Sequence, residues 1–341
     1  MITIDGSQGE GGGQILRTSL ALALLTGKSF QLNNIRARRS KPGLQPQHLM
    51  SVRAAATVGQ AEVQGAALHS SDLVFEPGTV QAGKYHFAIG TAGAVGLVLH
   101  TIYLPLALRG GAPSEILLEG GTHVTASPCF HFLHVTWAGY LELLGLHLKL
   151  SMRRPGFYPR GGGCVEVHVQ PCSQLQRLDL RERSRINKIS GFSAVAGLPE
   201  NIGTRQARRA INRLQSLGKK VRISQETWAG GPGTVLALVL ETAPVPTMFF
   251  GLGARGKPAE RVADEAADQA LAYLKEDPAA VDSHSADQLV LPLALANGPS
   301  EFTVSKVTNH LLTNIAVIQL FIERDIICLG EEGERGSVRI P

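Results

Sequence analysis

One arrangement recurs along this chain: a short strand-like run ends in glycines, and a long, largely apolar helical segment follows. The predicted pairs are Met1–Asp5 with Gly11–Leu25, Tyr85–Ile89 with Thr91–Leu108, Ile116–Leu118 with Cys129–Leu144, and Glu301–Val304 with Asn309–Ile322. Helices that are apolar on most sides must be covered on more than one face, which indicates helices sandwiched against sheets. The repeat is structural, because no residue-level period accompanies it. We therefore predict an α/β (α+β) fold of repeated strand–helix units.

Residues 184–278 follow a different pattern. Strand-like runs alternate there with two helices that are apolar on one side only: Lys188–Ala196, Gly203–Leu217, Thr234–Leu240, Met248–Gly253 and Ala259–Leu274. A one-sided helix needs only one sheet face to cover it, which is typical of a small two-layer unit. We predict that 184–278 form a smaller inserted α/β domain, and that 1–183 and 279–341 form the large domain.

Cysteine use and hydropathy indicate a cytoplasmic protein with no membrane partner. The four cysteines show neither a CxxC pair nor metal-type spacing, so we expect them to be reduced. The chain opens on a strand-like MITID rather than a signal peptide. The longest apolar run, Ala92–Leu108, contains His100, Tyr103 and Pro105, which favours a buried helix over a membrane span.

Charge and glycine content favour an anionic partner. The formal net charge is +5, a modest excess that suits polyanions but is shared by many ordinary enzymes. Glycine accounts for 38 of the 341 residues, without a collagen-like period. Several glycines stand just before apolar helices, where backbone N–H groups can bind phosphate.

The first helix carries polar groups on an apolar background. Glu10, Gln14 and Arg17 stand at i, i+4 and i+7, within about 60° of one another on a helix. Burying such groups is costly unless they meet partners. One interpretation is a carboxylate for a metal beside an arginine for phosphate, at a helix N-terminus. The other is a satisfied Arg–Glu pair.

A basic run follows the second predicted strand. Arg36, Arg38, Arg39 and Lys41 precede the rigid turn Pro42–Gly43 and a helix that includes Gln47. Basic runs are usually solvated faces. A fixed fork of guanidinium groups is also what a terminal phosphate would require.

Two further strings carry candidate chemistry. In RPGFYPRGGG, residues 154–163, three consecutive glycines allow a close backbone approach to a ligand and Arg160 supplies charge, while a wide β-connection is the alternative. In TNHLLTN, residues 308–314, a helix begins on which His310 and Asn314 share a face. The helix N-terminus would keep His310 neutral and attract phosphate, so a ring nitrogen could attack an α-phosphate. Packing or capping is the alternative role of this histidine.

Taken together, these strings resemble the RNA 3'-terminal phosphate cyclases. The resemblance is carried by DGSQGEGGGQILR, IRARRSKPGLQPQHL, FAIGTAGAVGLVL, RPGFYPRGGG, ADQLVLPLALA and HLLTNIAV, in order from residue 5 to residue 317. It implies a fold like that of the enolpyruvyl transferases, with repeated units of two helices on a four-stranded sheet and a smaller inserted α/β domain.

The resemblance also implies a reaction in three steps. His310 would attack the α-phosphorus of ATP with Mg²⁺ or Mn²⁺, releasing pyrophosphate. The adenylyl group would pass to an RNA 3'-phosphate, and the neighbouring 2'-hydroxyl would then displace AMP to leave a 2',3'-cyclic phosphate. The partners implied are ATP and RNA with a 3'-terminal phosphate, and a homo-oligomer is compatible with this sequence.

Roles carried over from the family fall on twelve positions. Catalytic roles fall on His310, Arg17, Arg36 and Arg39. Nucleotide contacts fall on Glu10, Gln14, Gln47, Pro128, His284, Asp287, Gln288 and Asn314. Glu10 would also bind the metal ion. His284 departs from the family, which usually has a tyrosine there to stack on the base. An imidazole can also stack, so we expect altered nucleotide affinity or selectivity.

Two other functions stay open on the sequence. A non-catalytic, RNA-binding relative that acts in ribosome assembly would lack the nucleophile, whereas His310, Glu10 and Arg17 are all present here. An enolpyruvyl transferase would need a different basic constellation. The Arg205–Lys220 face of the inserted domain would either guide RNA or be a plain solvated surface.

Overall fold

The first structural unit has the chain order strand–helix–strand–helix–strand–strand in the computed structural model, which describes residues 1–275 and 279–341. Its elements are β1 (Ile2–Asp5), α1 (Gly13–Thr26), β2 (Phe30–Asn33), α2 (Pro46–Gly59), β3 (Glu62–Gln64) and β4 (Leu73–Glu76). The strands lie in the order β1-β2-β4-β3. β1 and β2 run parallel, and the other two neighbouring pairs are antiparallel.

The second unit repeats that topology. Its elements are β5 (Lys84–Ala88), α3 (Val95–Arg109), β6 (Ser114–Gly120), α4 (Phe130–Phe132), α5 (Ala138–Leu143), β7 (Leu148–Arg154) and β8 (Gly163–Val169). A π-helical turn, Leu133–Trp137, joins α4 to α5. The strand order β5-β6-β8-β7 is that of the first sheet, again with the first pair parallel.

Another sheet interrupts the third unit. After β9 (Asp179–Leu180), the chain forms β10 (Lys188–Ala196), α6 (Glu200–Leu214), β11 (Lys220–Trp228), β12 (Gly233–Leu240), β13 (Thr247–Leu252) and α7 (Ala259–Lys275). Its order, β11-β10-β12-β13, differs from that of the repeated sheets. The boundaries of the inserted domain at 184 and 278 stay predictions, and residue 278 lies outside the described residues.

The third unit is completed near the C-terminus by α8 (Ser283–Ala294), β14 (Ser300–Val304), α9 (Asn309–Phe321), β15 (Ile327–Leu329) and β16 (Gly336–Ile340). Read from β9, its order is β9-β14-β16-β15, with β9 parallel to β14. The same arrangement of two helices on four strands therefore occurs three times. The predicted α/β fold of repeated units is confirmed.

The helices of the three repeated units pack against one another between the sheets. α1 contacts α2, α3 and α9, and α9 also contacts α8. Leu20 and Leu22, which point to opposite sides of α1, are both fully buried. This packing is why the repeated helices are apolar almost all round, since each faces both a sheet and other helices. No described helix is long and apolar enough to cross a bilayer.

The arginine-rich face of α6 is occupied by acidic side chains of α7. Arg205 pairs with Glu260 at 2.7 Å, and Arg209 pairs with Asp264 at 2.8 Å. Arg213 contacts Asp264 as well, at 2.9 Å. Because these guanidinium groups already meet carboxylates, this stretch of the Arg205–Lys220 face offers little free positive charge for RNA.

Candidate active site

A cavity of about 540 Å³ lies where the N-terminal ends of α1, α2, α8 and α9 converge beside α3. All twelve residues to which the sequence assigns a role line it: Glu10, Gln14, Arg17, Arg36, Arg39, Gln47, Pro128, His284, Asp287, Gln288, His310 and Asn314. Residues from positions 10 to 314 thus meet in one place, while the role of each stays a prediction.

The start of α1 differs from the sequence prediction. Helix α1 begins at Gly13 rather than Gly11, because Gly11 has a positive φ of 57° and Gly12 is extended. Glu10 therefore precedes the helix, and the expectation that it shares a helical face with Gln14 and Arg17 is wrong. Its carboxylate instead folds over the first turn of α1 and accepts a hydrogen bond from the Gln14 backbone N–H, at 3.2 Å.

His310 is oriented by Gln14. The His310 Nδ1 atom lies 2.7 Å from Gln14 Oε1, and Gln14 Nε2 donates to Asp287 Oδ2 at 3.3 Å. When Asp287 is ionised its carboxylate can only accept, so the amide nitrogen of Gln14 then faces Asp287 and the amide oxygen faces the histidine. His310 Nδ1 is then the protonated nitrogen, and Nε2 keeps its lone pair.

The surroundings keep His310 neutral near pH 7. Partial burial lowers its pKa below the usual 6.5, and the positive charges of Arg17 and Arg39 act in the same direction against the opposing Glu10. Burial raises the pKa of Asp287 to about 7, although Gln14 and Arg17 lower it. The carboxyl group that holds Gln14 is therefore close to half-ionised at neutral pH.

Arg17 projects into the cavity without a protein partner. Among residues 1–275 and 279–341, none forms a hydrogen bond or an ion pair with its guanidinium group. Burial lowers the Arg17 pKa to about 10, so the group stays charged at neutral pH. A partly buried cation with no counterion at contact distance is suited to an anionic ligand.

His48 lies beside Arg17 and was not singled out from the sequence. Its Nδ1 accepts from the Gln45 backbone N–H at 3.2 Å, which leaves an Nε2–H donor near Gly13. Burial, together with Arg17 and Arg36, lowers its pKa to about 3, so it is neutral. Gly13 has no side chain because a methyl group there would collide with this imidazole. The signal that could have found His48 in the sequence was its position next to Gln47, in the first turn of a helix.

The basic loop is held in place by its own arginines. Arg36 donates to the carbonyl oxygens of Lys41 and Gly43, so its guanidinium group is largely used within the loop. Arg39 pairs with Glu10 Oε2 at 2.5 Å and remains 45% exposed towards the cavity. Gln47 accepts from the Ala94 backbone N–H at 3.0 Å, which ties α2 to the start of α3. Of the two predicted phosphate clamps, Arg39 is the more accessible.

The start of α8 forms the opposite wall. The Asp282 side chain caps the helix by accepting from the backbone N–H groups of His284 and Ser285, at 2.9 and 3.0 Å. His284 is exposed, and Gln288 Nε2 donates to its carbonyl oxygen at 2.9 Å. In the described part of the chain nothing pairs with the buried Gln288 Oε1. This wall therefore offers the His284 ring for stacking, and the Gln288 Oε1 atom as a hydrogen-bond acceptor with no partner among the described residues.

Asn314 braces three helices. Its Nδ2 donates to the Asp287 carbonyl oxygen at 2.5 Å, and its Oδ1 accepts from Thr18 Oγ1 at 2.7 Å. Both ends of the amide are thus engaged between α1, α8 and α9. Thr313 adds a second tie by accepting from the Glu10 backbone N–H at 3.0 Å.

The inner end of the cavity is aromatic, and the sequence did not indicate it. Its lining includes His100, Tyr103, Phe132, Trp137 and Phe250. The His100 and Trp137 rings lie 4.8 Å apart, and burial lowers the His100 pKa to about 3. In residues 1–275 and 279–341, His100 Nε2 and Trp137 Nε1 have no hydrogen-bond partner. Only the approach of α3 to the π-helical turn brings these two rings together.

Carboxylates are sparse at this site. The described residues contain no group of three or more His, Cys, Asp or Glu side chains placed to hold a metal ion. Magnesium in nucleotide sites often uses one or two carboxylates, with phosphate oxygens and water completing its coordination. Glu10 lines the cavity and is the carboxylate available for such a ligand set; its Oε1 accepts from the Gln14 N–H and its Oε2 pairs with Arg39, so a metal ion would share these oxygens.

Comparisons with known proteins identify the family of this chain. The family model described as RNA 3'-terminal phosphate cyclase matches residues 8–328. A protein of that name from Caldivirga maquilingensis is 46% identical over 96% of this chain and 94% of its own. Another from Koribacter versatilis is 44% identical over 94% of this chain and 90% of its own, and one from Ralstonia nicotianae is 46% identical over 94% and 91%. This chain therefore belongs to the RNA 3'-terminal phosphate cyclase family.

Proposed function

We propose that this protein uses ATP to convert an RNA 3'-terminal phosphate into a 2',3'-cyclic phosphodiester, with His310 as the adenylated nucleophile. The observation that carries the proposal is the His310–Gln14–Asp287 chain of hydrogen bonds, which leaves the Nε2 lone pair free in a cavity that Arg17, a cation with no partner among the described residues, also lines. Membership of the cyclase family supports the choice of substrate.

In the first step, His310 Nε2 attacks the α-phosphorus of ATP. A P–N bond forms, and the bond to the bridging oxygen breaks, so that pyrophosphate leaves with the electron pair. The imidazole becomes cationic as it is adenylated. Gln14 Oε1, at 2.7 Å from Nδ1, then accepts a charge-assisted hydrogen bond that stabilises the cation.

Arg17 and the N-terminus of α9 receive the phosphates. The guanidinium group of Arg17 has no described partner, and His310 stands in the first turn of α9, where the helix dipole favours an anion. A bound Mg²⁺ or Mn²⁺ would neutralise charge on the nucleotide, and Glu10 would supply its protein ligand.

We place the adenine against the start of α8. The ring of His284 is exposed there, and Pro128 lines the same cavity. The unpartnered Gln288 Oε1 matches a hydrogen-bond donor such as the exocyclic amine of adenine. The ring supports a stacked base, and the Gln288 acceptor supports a purine with an amino group over one with a carbonyl group.

The remaining steps transfer AMP and close the ring. An oxygen of the RNA 3'-phosphate attacks the adenylyl phosphorus, breaks the P–N bond and restores neutral His310. The ribose 2'-oxygen then attacks the RNA phosphorus, and the bond from that phosphorus to the bridging oxygen breaks, so that AMP leaves with the electron pair and the hydroxyl proton passes to solvent. Arg39, 45% exposed beside the nucleophile, is positioned to bind the RNA 3'-phosphate.

End-group analysis tests this function. A 5'-labelled oligoribonucleotide with a 3'-phosphate should become resistant to phosphatase when it is incubated with the protein, ATP and Mg²⁺. Acid should open the product to a mixture of 2'- and 3'-phosphates. An RNA with a 3'-hydroxyl is the matched control. If the protein bound the RNA but left its 3'-phosphate unchanged, the non-catalytic RNA-binding alternative would replace this proposal.

A further inference from the structure

The loop between β7 and β8 presents an aromatic and a basic side chain to solvent. Tyr158 is 74% exposed, and Pro159 and Arg160 are exposed beside it. This tip, Tyr158–Arg160, belongs to the RPGFYPRGGG string, and the steps proposed above do not use it. A ligand in solution can therefore reach both the tyrosine ring and the guanidinium group.

The tip is held firmly from both sides. Before it, the Gly156 carbonyl oxygen accepts from the backbone N–H groups of Thr122 and His123, at 2.9 and 3.0 Å. Phe157 is buried, and its ring stacks on that of His123 with the centroids 5.2 Å apart. After it, the Gly161 N–H donates to the Phe157 carbonyl oxygen at 2.7 Å. A ligand would therefore meet a preorganised surface.

Both anchors of the tip adjoin the cavity. Gly161 has a φ of 67°, and a methyl group there would lie 2.8 Å from the Thr91 carbonyl oxygen, so the loop packs directly on that segment. Three residues on, Ala94 donates to Gln47, which lines the cavity. On the other side, His123 immediately precedes Val124, another lining residue.

The charge on the loop is positive. Arg153 pairs with Glu166 at 2.8 Å, and Arg154 uses its Nε to donate to the Gly162 carbonyl oxygen at 2.5 Å. In the described part of the chain, nothing forms an ion pair or a hydrogen bond with the guanidinium group of Arg160. One arginine is therefore available for a phosphate, next to a ring available for a base.

We propose that the tip Tyr158–Arg160 binds the single-stranded RNA segment just upstream of the terminal phosphate, with Tyr158 stacking on a base and Arg160 contacting the backbone. Single-stranded nucleic acids are commonly bound by aromatic rings that stack on bases, together with cationic groups that follow the phosphates. This inference rests on the proposed function, since it takes RNA as the ligand of the neighbouring cavity.

Equilibrium binding of a fluorescent oligoribonucleotide of about ten nucleotides with a 3'-phosphate, without ATP, tests the proposal. Tyr158→Ala should weaken binding roughly 5- to 150-fold, the range expected for one stacked base, and Tyr158→Phe should restore it. Arg160→Ala should lower the slope of log Kd against log salt by about 0.7, as expected for one phosphate contact on a single strand. A nucleoside 3'-phosphate, which has no upstream segment, should bind all variants alike.

Arg208→Ala is the matched control, because Arg208 is an exposed arginine on α6. Normal melting temperatures and ATP-dependent self-labelling would establish that the variants are folded. Wild-type binding of the long RNA by both alanine variants would overturn the inference while leaving the proposed function intact. If these variants bound RNA more weakly but the wild-type protein never cyclised it, the proposed RNA-binding tip would be supported and the proposed activity would be rejected. No binding of RNA by the wild-type protein would overturn both.

Discussion

His310 Nδ1 and Gln14 Oε1 lie 2.7 Å apart, although 296 positions separate the two residues in the chain. Because the amide nitrogen of Gln14 faces Asp287, at 3.3 Å, the histidine is held with its proton on Nδ1. The nitrogen that faces the cavity is then Nε2, with a free lone pair. A glutamine from the first helix thus determines which atom of the last helix can act as a nucleophile.

Removing the glutamine acceptor should slow adenylation. Gln14→Leu keeps much of the side-chain volume but provides no oxygen to His310 Nδ1, so the imidazolium formed in the first step loses a charge-assisted hydrogen bond. We expect the rate of self-adenylation to fall roughly 10- to 100-fold. Rapid-quench measurement of the covalent adenylate would give this rate.

The dissociation constant of ATP separates this effect from a general loss of the site. It should stay within about threefold of the wild-type value, a change of less than 1 kcal/mol. A variant that adenylated at the wild-type rate would show that Gln14 does not orient the nucleophile.

The rate of adenylation should fall in two stages as the pH is lowered. Asp287, with a pKa of about 7, first gains a proton and can then donate to Gln14, which weakens the hold of the amide on His310. Protonation of His310 follows at a pH below 6.5, because its pKa is lowered, and removes the lone pair. The rate should therefore be highest on the alkaline side of pH 7.

Asp287→Asn identifies the first stage. Since asparagine does not titrate, the inflection near pH 7 should disappear, and the fall below pH 6.5 should remain. The rate of single-turnover adenylation, measured as a function of pH, would show both the loss of the inflection near pH 7 and the remaining fall below pH 6.5. An unchanged inflection near pH 7 would exclude Asp287 as its source.

The repeated fold could be predicted from the sequence because its cause is local. Helices that must be covered on several sides carry apolar residues all round, and this pattern is visible along α1, α3 and α9. The start of α1 could not be placed correctly, because the extended Gly12 depends on Glu10 folding back over the first turn.

The sequence pointed to His310 and Arg17 as candidate site residues because each stands in a distinctive string of residues. It did not point to the inner aromatic end of the site, because His100 and Trp137 meet only through tertiary packing. The pairing of Arg209 with Asp264 was hidden for the same reason, since 55 positions separate them. A sequence pattern can identify the residues that share one face of a helix. Contacts between elements that are far apart in the chain depend on the fold and are not visible in such a pattern.

Replacing Arg39 should impair recognition of the RNA terminal phosphate. Its guanidinium group is 45% exposed beside Glu10, so Arg39→Ala removes a cation that can reach a ligand. We expect binding of RNA with a 3'-phosphate to weaken roughly 10- to 100-fold, the worth of a charge-assisted hydrogen bond. Titration of labelled RNA, followed by fluorescence anisotropy, measures this change.

RNA with a 3'-hydroxyl provides the comparison, and its affinity should change little. Arg38→Ala is the matched protein control, because Arg38 is an exposed arginine of the same loop. Equal losses with both RNA ends would mean that Arg39 is not a phosphate clamp.

Substituting His284 by tyrosine should tighten ATP binding. The histidine is exposed at the start of α8, so a larger ring can be accommodated and would stack over more of the base. We expect the dissociation constant of ATP to fall roughly 2- to 10-fold, as estimated for one improved aromatic contact. Isothermal titration calorimetry with ATP, and with ribose triphosphate as a ligand without a base, would measure it. An unchanged affinity for ATP would indicate that residue 284 does not touch the base.

Mass spectrometry after exposure to ATP and Mg²⁺ tests the central claim most directly. The protein should gain one adenylyl group, and peptide mapping should place it on His310. The adduct should be labile to acid and stable to alkali, as a phosphoramidate is, and His310→Ala should abolish it while ATP still binds. An adenylyl group on another residue, or undiminished labelling of His310→Ala, would contradict the assignment of His310 as the nucleophile.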